Sequence, residues 1–397
     1  MKINKSILAV ALCLGMAGSS YAGNVYLSGS TACRSTVYNT LNGSNVVFNG
    51  FPAVTSYKGS SASGGTYMAF QGTLKGGSGT TTILCSWSGS EGGILNIASN
   101  TVPSAYAPFL KTADINTASN SVVFANTEAP AGYDSLPVQL AMADNDKAYS
   151  RTPNANITGT NVCIITFKWI RNTGLWTGAS PNVSDYQIRQ SLAGGCPLSV
   201  FTGNSNDVSY VYVSGRDNLS GTRVNAFANA GFGIFGSPAQ IILVAGSMQT
   251  NSAGRPVDNY YDGDFGQTSG GTLAGTLTNS TVSSVDQIWG GTGFSVLGYL
   301  GYDDAQKALS GGGTECTYNG VPFSINNIVE GTYTFWGNEY VYKAANVTSG
   351  EPLTVYNSLA LNIKNFCYPH GTATLNGIDP AIMHTTRSSP ITPPSHN

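Results

Sequence analysis

The chain has 397 residues and a formal net charge of −2, and only 10% of its residues are charged. With no basic stripe to release counterions from a phosphate backbone, nucleic acid is excluded as a partner, and a membrane surface is excluded for the same reason. Ser, Thr, Asn and 49 glycines fill the sequence instead, a composition typical of exported β-containing proteins.

Lys2 and Lys5, an apolar run from Ile7 to Met16 and the small residues ending in Ser20-Tyr21-Ala22 make the three-part pattern of a secretory signal, with cleavage expected after Ala22. Cys13 allows a lipoprotein reading, but Leu12 before it is larger than a lipobox usually accepts. No later stretch reaches the ~20 apolar residues that a membrane-spanning helix needs. The expected location is the periplasm or the extracellular space. The remaining length exceeds what one hydrophobic core usually serves, which favours two lobes.

Asn24 to Leu27 reads as a strand that runs into Ser28-Gly29-Ser30-Thr31, followed by helical spacing from Ala32 to Leu41. Thr66 to Thr73 and Thr80 to Trp87 read as a hairpin around a loose glycine loop, and the second strand meets Ser88-Gly89-Ser90-Glu91-Gly92-Gly93 and then the helical Ile94 to Ala98. Val208 to Val213 is again a strand, broken at Ser214-Gly215-Arg216 before a helix around Val224 to Ala228. Ile241 to Ala245 reads as a strand and Asn251 to Thr278 mostly as loops, with Ser269-Gly270-Gly271 opening a short helix. Gly298 to Tyr302 returns to strand, and the Pro- and Ser-rich tail from Ser388 to Asn397 is expected to fray. The class is α/β.

Six cysteines remain beyond the signal: Cys33, Cys85, Cys163, Cys196, Cys316 and Cys367. An even number in an exported chain reads as three disulfides, and no spacing suits zinc. Their grouping favours neighbours, Cys33 with Cys85, Cys163 with Cys196 and Cys316 with Cys367, against the alternative of buried free thiols.

The sharpest local feature is Arg216-Asp217-Asn218-Leu219-Ser220-Gly221-Thr222 at a strand-to-helix turn. A helix N-terminus leaves backbone N–H groups without intrahelical partners and carries partial positive charge, so it favours an oxyanion. Ser220 and Thr222 add hydroxyls, Gly221 permits close approach, and Arg216 can give two parallel charge-assisted hydrogen bonds. Ser78-Gly79-Thr80 repeats the tripeptide without an arginine, so the arginine and its context carry the signal.

Here the sequence resembles the phosphate-binding proteins of bacterial phosphate ABC transporters, which carry an Arg-x-x-x-Ser-Gly-Thr turn of this kind. Ser28-Gly29-Ser30-Thr31 is similar to that family's first anion loop and Ser88 to Gly93 to its second. Ala141-Met142-Ala143-Asp144 is similar to the segment supplying its ligand-binding Asp, and Ser269-Gly270-Gly271 to its remaining glycine turn. Gly298 to Tyr302 resembles the strand re-entering the first lobe, and Glu330 to Trp336 the late Gly-x-Tyr strand.

The resemblance implies a two-lobed periplasmic-binding-protein-like fold with a ligand cleft between lobes joined by crossing strands. Lobe 1 would comprise 23–160 and 297–397, and lobe 2 would comprise 161–296. Ser30, Thr31 and Ser90 would donate to phosphate from one lobe, and Arg216, Ser220, Gly221 and Thr222 from the other. Asp144 would select for a ligand that still carries a proton; its bland alternative is a turn or cap residue. The implied partners are phosphate or a similar oxyanion and an ABC transporter permease, with the protein a monomer and no cofactor. Ala32-Cys33 departs from the bulky aromatic that usually follows the first loop.

Gly231-Phe232-Gly233-Ile234-Phe235-Gly236 matches a dinucleotide fingerprint but follows a helix and precedes a strand, the reverse of what that site needs. Asp258, Asp262 and Asp264 do not have EF-hand spacing. His370, His384 and His396 lack the motifs of a catalytic site, so an enzyme is not expected. The rival reading is an extracellular or cell-surface structural protein on a solute-binding fold with altered or lost ligand binding.

Overall fold

A computed structural model describes residues 23–59, 61–98, 106–112, 115, 123–124, 133–172, 176, 181–241, 243–244, 247–248, 266–278, 294–370 and 375–396. The expected signal (1–22), Cys13 and the aspartates 258, 262 and 264 lie outside these residues, as does most of the 251–278 loop segment. No helix among the described residues is long and apolar enough to cross a membrane.

The strand Gly23–Gly29 sits between two parallel partners, Thr80–Ser86 and Leu140–Ala143. A strand flanked on both sides and covered by helices on its faces must be apolar throughout its centre, and Val25, Leu27, Ile83, Leu84 and Leu140 to Ala143 are fully buried. Outward from there the hairpin Tyr67–Thr73 to Thr80–Ser86 pairs as expected, with Thr73 opposite Thr80, and Val54–Lys58 adds a further strand.

In the other direction the sheet passes through Trp336–Ala344 to the fifteen-residue strand Ile157–Arg171. The first part of this long strand pairs with Trp336–Ala344 and its last part with Phe294–Gly301, so one strand joins the two halves of the sheet. Beyond it lie Phe294–Gly301 and, parallel to that, Tyr210–Val213. The described residues thus include one mixed thirteen-stranded sheet with helices on its faces and four two-stranded sheets beside it, an α/β architecture. The expected boundaries at 160/161 and 296/297 fall inside the long strand and inside Phe294–Gly301. An aromatic cluster of Phe167, Trp169, Tyr299, Tyr318, Tyr333 and Phe335 fills the junction.

Three expectations need correction. The late strand begins at Trp336, and Glu330 to Phe335 is the approach to it. Of the strand expected over Ile241 to Ala245, Leu243–Val244 is strand and pairs with Ser247–Met248, Ile241 lies before it, and residues 242 and 245 are outside the described set. The tail does not fray before residue 397: Thr385–Thr386 pairs with Ser395–His396. What anchors it is Arg387, which is 7% exposed. Its guanidinium donates to the carbonyls of Trp336 (2.9 Å) and Thr334 (2.7 Å) and stacks 4.6 Å over the Trp336 ring.

Candidate functional site

The first loop follows directly from the central strand. Gly29 has φ +120°, and a Cβ there would lie 2.0 Å from the Met142 carbonyl oxygen, so the loop can cross the end of Leu140–Ala143 only with glycine. The Ser30 amide then donates to Met142 O at 2.8 Å. Ser30 and Thr31 are both buried. The Ser30 hydroxyl accepts from the Cys33 amide and lies 3.3 Å from Glu339 Oε2.

The second loop turns at Gly89, φ +90°, whose amide donates to Gly29 O at 2.9 Å and so ties the two loops together. Ser90 begins the helix Ser90–Ala98. Its hydroxyl donates to Asp144 Oδ1 and accepts from the Asp144 amide at 3.2 Å. The next two amides, of Glu91 and Gly92, donate to the carbonyl of Leu219 at 2.9 and 3.3 Å. This helix N-terminus therefore holds a backbone oxygen from the opposite half of the molecule.

That oxygen belongs to the arginine turn. Tyr210–Val213 ends at Ser214, and the helix Gly221–Ala230 is capped by the Ser220 hydroxyl, which accepts from the Arg223 amide at 3.2 Å, and closed by Gly231 in the left-handed conformation. Gly231 to Gly236 thus follows a helix, which removes the dinucleotide reading. Arg216 is 2% exposed. It donates from Nε to Gln267 O at 2.9 Å, from Nη2 to Thr268 O at 3.2 Å and from Nη1 to Thr31 Oγ1 at 3.3 Å, across to the other half.

Asp144 closes the constellation. Thr222 Oγ1 donates to Asp144 Oδ2 at 3.1 Å, opposite the Ser90 contact on Oδ1. Asn225 Nδ2 donates to the Asp144 carbonyl at 2.6 Å. A Cβ on Gly221 would lie 1.7 Å from Asp144 Oδ1 and 2.6 Å from Ser90 Cβ. The N-terminus of the Gly221–Ala230 helix therefore faces a carboxylate of the protein itself. The glycine turn Ser269-Gly270-Gly271 repeats the device: it opens the helix Gly270–Leu277, and a Cβ on Gly270 would lie 2.2 Å from Asp304 Oδ2, a carboxylate paired with Arg34 at 3.3 Å.

Burial dominates the electrostatics. It pushes the Asp144 carboxyl above its ordinary value, against the hydrogen bonds from Ser90 and Thr222 and the charge of Arg216. Burial likewise lowers the Arg216 guanidinium, which the acidic groups Asp217, Tyr299, Asp304 and Asp144 partly oppose.

Ser30, Thr31, Ser90, Asp144, Arg216, Gly221 and Thr222 thus come together in one buried set drawn from both halves. Ser220 differs in role, because its hydroxyl caps the helix. Sequence reasoning missed Asn225, Tyr299, whose hydroxyl accepts from the Arg216 amide at 3.0 Å, and Glu339. Glu339 carried a usable signal: it takes a buried position in the strand Trp336–Ala344, where a charge has no business without a partner.

The disulfide expectation is corrected. All six cysteines are free and buried. Cys33, Cys163 and Cys367 lie close enough to shift one another's thiols, so the sheet gathers three cysteines from distant parts of the chain instead of pairing neighbours. Among the described residues no group of His, Cys, Asp and Glu is arranged to hold a metal. His370 pairs with Asp379 and His384 with Glu330, both at 2.7 Å.

No family model matches the sequence, and no curated protein matches it. Among solved structures, the chain is similar to a putative phosphate ABC transporter substrate-binding protein from Clostridium perfringens, with 11% identity over 86% of this chain and 96% of that one and a TM-score of 0.48. It is also similar to an ABC-type phosphate transport receptor from Vibrio cholerae, with 11% identity over 85% and 93% and a TM-score of 0.43. A third is PstS from Borrelia burgdorferi, with 11% identity over 85% and 92% and a TM-score of 0.36.

Proposed function

We propose that this chain is an exported solute-binding protein that captures a tetrahedral oxyanion, phosphate above others, and delivers it to an ABC transporter permease for uptake. The observation that carries this reading is the buried meeting of Arg216 with Asp144 and the hydroxyls of Thr31, Ser30, Ser90 and Thr222, contributed from both halves of one sheet. Residues 23–160 with 297–397 and residues 161–296 act as the two lobes, and the monomer is the working unit.

Arg216 supplies charge-assisted hydrogen bonds, and the hydroxyls complete a tetrahedral donor set. An ionised Asp144 can only accept, so it favours a phosphate that still carries a proton and repels sulfate, which has none. Because Thr222–Asp144 and Arg216–Thr31 bonds join the halves, the oxyanion enters by exchanging them, and the same groups close on it afterwards.

One observation favours a second reading. The site's polar groups already satisfy one another, with Asp144 at one helix N-terminus and Leu219 O at the other. On that reading the constellation is a structural knot in an exported surface protein that keeps the fold without the ligand.

Calorimetric titration of the protein with phosphate, arsenate and sulfate separates the two. Phosphate and arsenate should bind, and sulfate should bind at least ~100-fold more weakly, since like-charge juxtaposition costs several kcal/mol and about 1.4 kcal/mol is tenfold. Asp144→Asn should narrow that gap to within about tenfold. Absence of binding by all three oxyanions would leave the structural reading.

A further inference from the structure

Glu339 is fully buried at the edge of the candidate site. Its Oε2 lies 3.3 Å from Ser30 Oγ, while Oε1 has no hydrogen-bond partner among the described residues. No lysine or arginine among the described residues forms an ion pair with it. The titratable groups around it are the Asp144 carboxyl, the thiols of Cys33, Cys163 and Cys367, and the Tyr342 hydroxyl. Burial, and after it the charge of Asp144, hold its carboxyl well above the usual range against hydrogen bonds from Ser30 and Cys33.

The proton count at Ser30 gives this arrangement a consequence. The Ser30 hydroxyl already accepts from the Cys33 amide, and it owns one hydrogen. If Glu339 is ionised, that hydrogen is held by Oε2, and Ser30 turns lone pairs toward an incoming anion. If Glu339 is a neutral acid with its proton on Oε2, the acid donates to Ser30 Oγ and the serine hydrogen is released toward the oxyanion.

We infer that Glu339 is a positioning residue that, as a carboxylic acid, donates to Ser30 and thereby makes the Ser30 hydroxyl a donor to the bound oxyanion. This rests on the oxyanion reading of the site. It also explains why a carboxyl without a cationic partner can stand beside Asp144: the ionised form would be costly there, and the neutral form has work as a donor.

The test has two arms, using wild type, Glu339→Gln and Glu339→Leu. Glutamine keeps a donor that can reach Ser30, and leucine removes it. In the first arm, unfolding of the ligand-free protein is followed between pH 5 and 7. A carboxyl whose folded pKa is raised binds its proton more tightly when folded, so its contribution is present at low pH and is lost as pH rises toward the folded value. The wild-type unfolding constant should rise relative to that of Glu339→Gln by up to about tenfold per pH unit. A constant ratio would show an ordinary, ionised Glu339 and overturn the inference. In the second arm, phosphate binding at pH 7 should stay within about threefold of wild type in both Glu339→Gln and Glu339→Leu, since neither side chain is an ionised acceptor that takes the Ser30 hydrogen from the oxyanion. Binding tightened ~10-fold or more in both variants would show that an ionised Glu339 had held the Ser30 hydrogen, and would overturn the inference while leaving the oxyanion reading standing. Absence of wild-type binding would overturn both.

Discussion

Gly221→Ala should destabilise the protein by about 3 kcal/mol, at the upper end of what overpacking a tight interior costs. The added methyl would fall 1.7 Å from Asp144 Oδ1, 2.6 Å from Ser90 Cβ and 2.7 Å from Asn145 Oδ1. None of these neighbours can yield freely. Asp144 is held by Ser90 and Thr222, and Asn145 Nδ2 donates to Glu91 Oε1 at 2.7 Å. The helix Gly221–Ala230 must instead back away, and with it go the contacts that join the halves. Gly275→Ala is the control, since its Cβ would meet nothing within 4 Å inside the helix Gly270–Leu277. There alanine should stabilise by ~0.5 to 1 kcal/mol through helix propensity. Urea unfolding of both variants decides the matter, and a Gly221→Ala effect under about 0.5 kcal/mol would contradict the described closeness of the two halves.

Arg216→Ala should weaken phosphate binding by at least ~30-fold, because truncating one partner of a buried charge-assisted set costs about 2 to 5 kcal/mol. The variant removes the cation from a 2%-exposed position and leaves the carbonyls of Gln267 and Thr268 and the Thr31 hydroxyl without their donor. Arg216→Lys should recover little. An ammonium on a flexible stem cannot reproduce the fork that reaches Gln267, Thr268 and Thr31 together. Calorimetry reads the loss, and circular dichroism of the same samples separates it from unfolding. Binding within about threefold of wild type would remove Arg216 from the site.

Much of this was legible because it is local. The strand-turn-helix units at Asn24 to Leu41, Thr81 to Ala98 and Val208 to Ala228 follow from periodicity and from small-residue turns, all read within a few residues. The arginine turn stood out for the same reason. What could not be read is what long-range register decides. Asp144 looked like a residue waiting for a ligand proton, and the fold places it against the helix N-terminus that sequence had reserved for that ligand. The cysteines were grouped by distance along the chain, whereas Cys33, Cys163 and Cys367 meet because the long strand passes beside the C-terminal segment. Composition made the tail seem loose, yet one arginine, Arg387, reaching two carbonyls and a tryptophan ring is enough to seat it.

On the proposed function, Arg216, Thr31, Ser90, Thr222 and Asp144 exchange their bonds with one another for bonds to an oxyanion. Crystals grown in arsenate, with the anomalous signal of arsenic marking the ligand, test this most directly. One arsenate should lie between the halves, accepting from Arg216, Thr31, Ser90 and Thr222, with Asp144 against its protonated oxygen. Ser90 and Thr222 still bonded to Asp144, Arg216 still on Thr31, and no arsenic between the halves would contradict it.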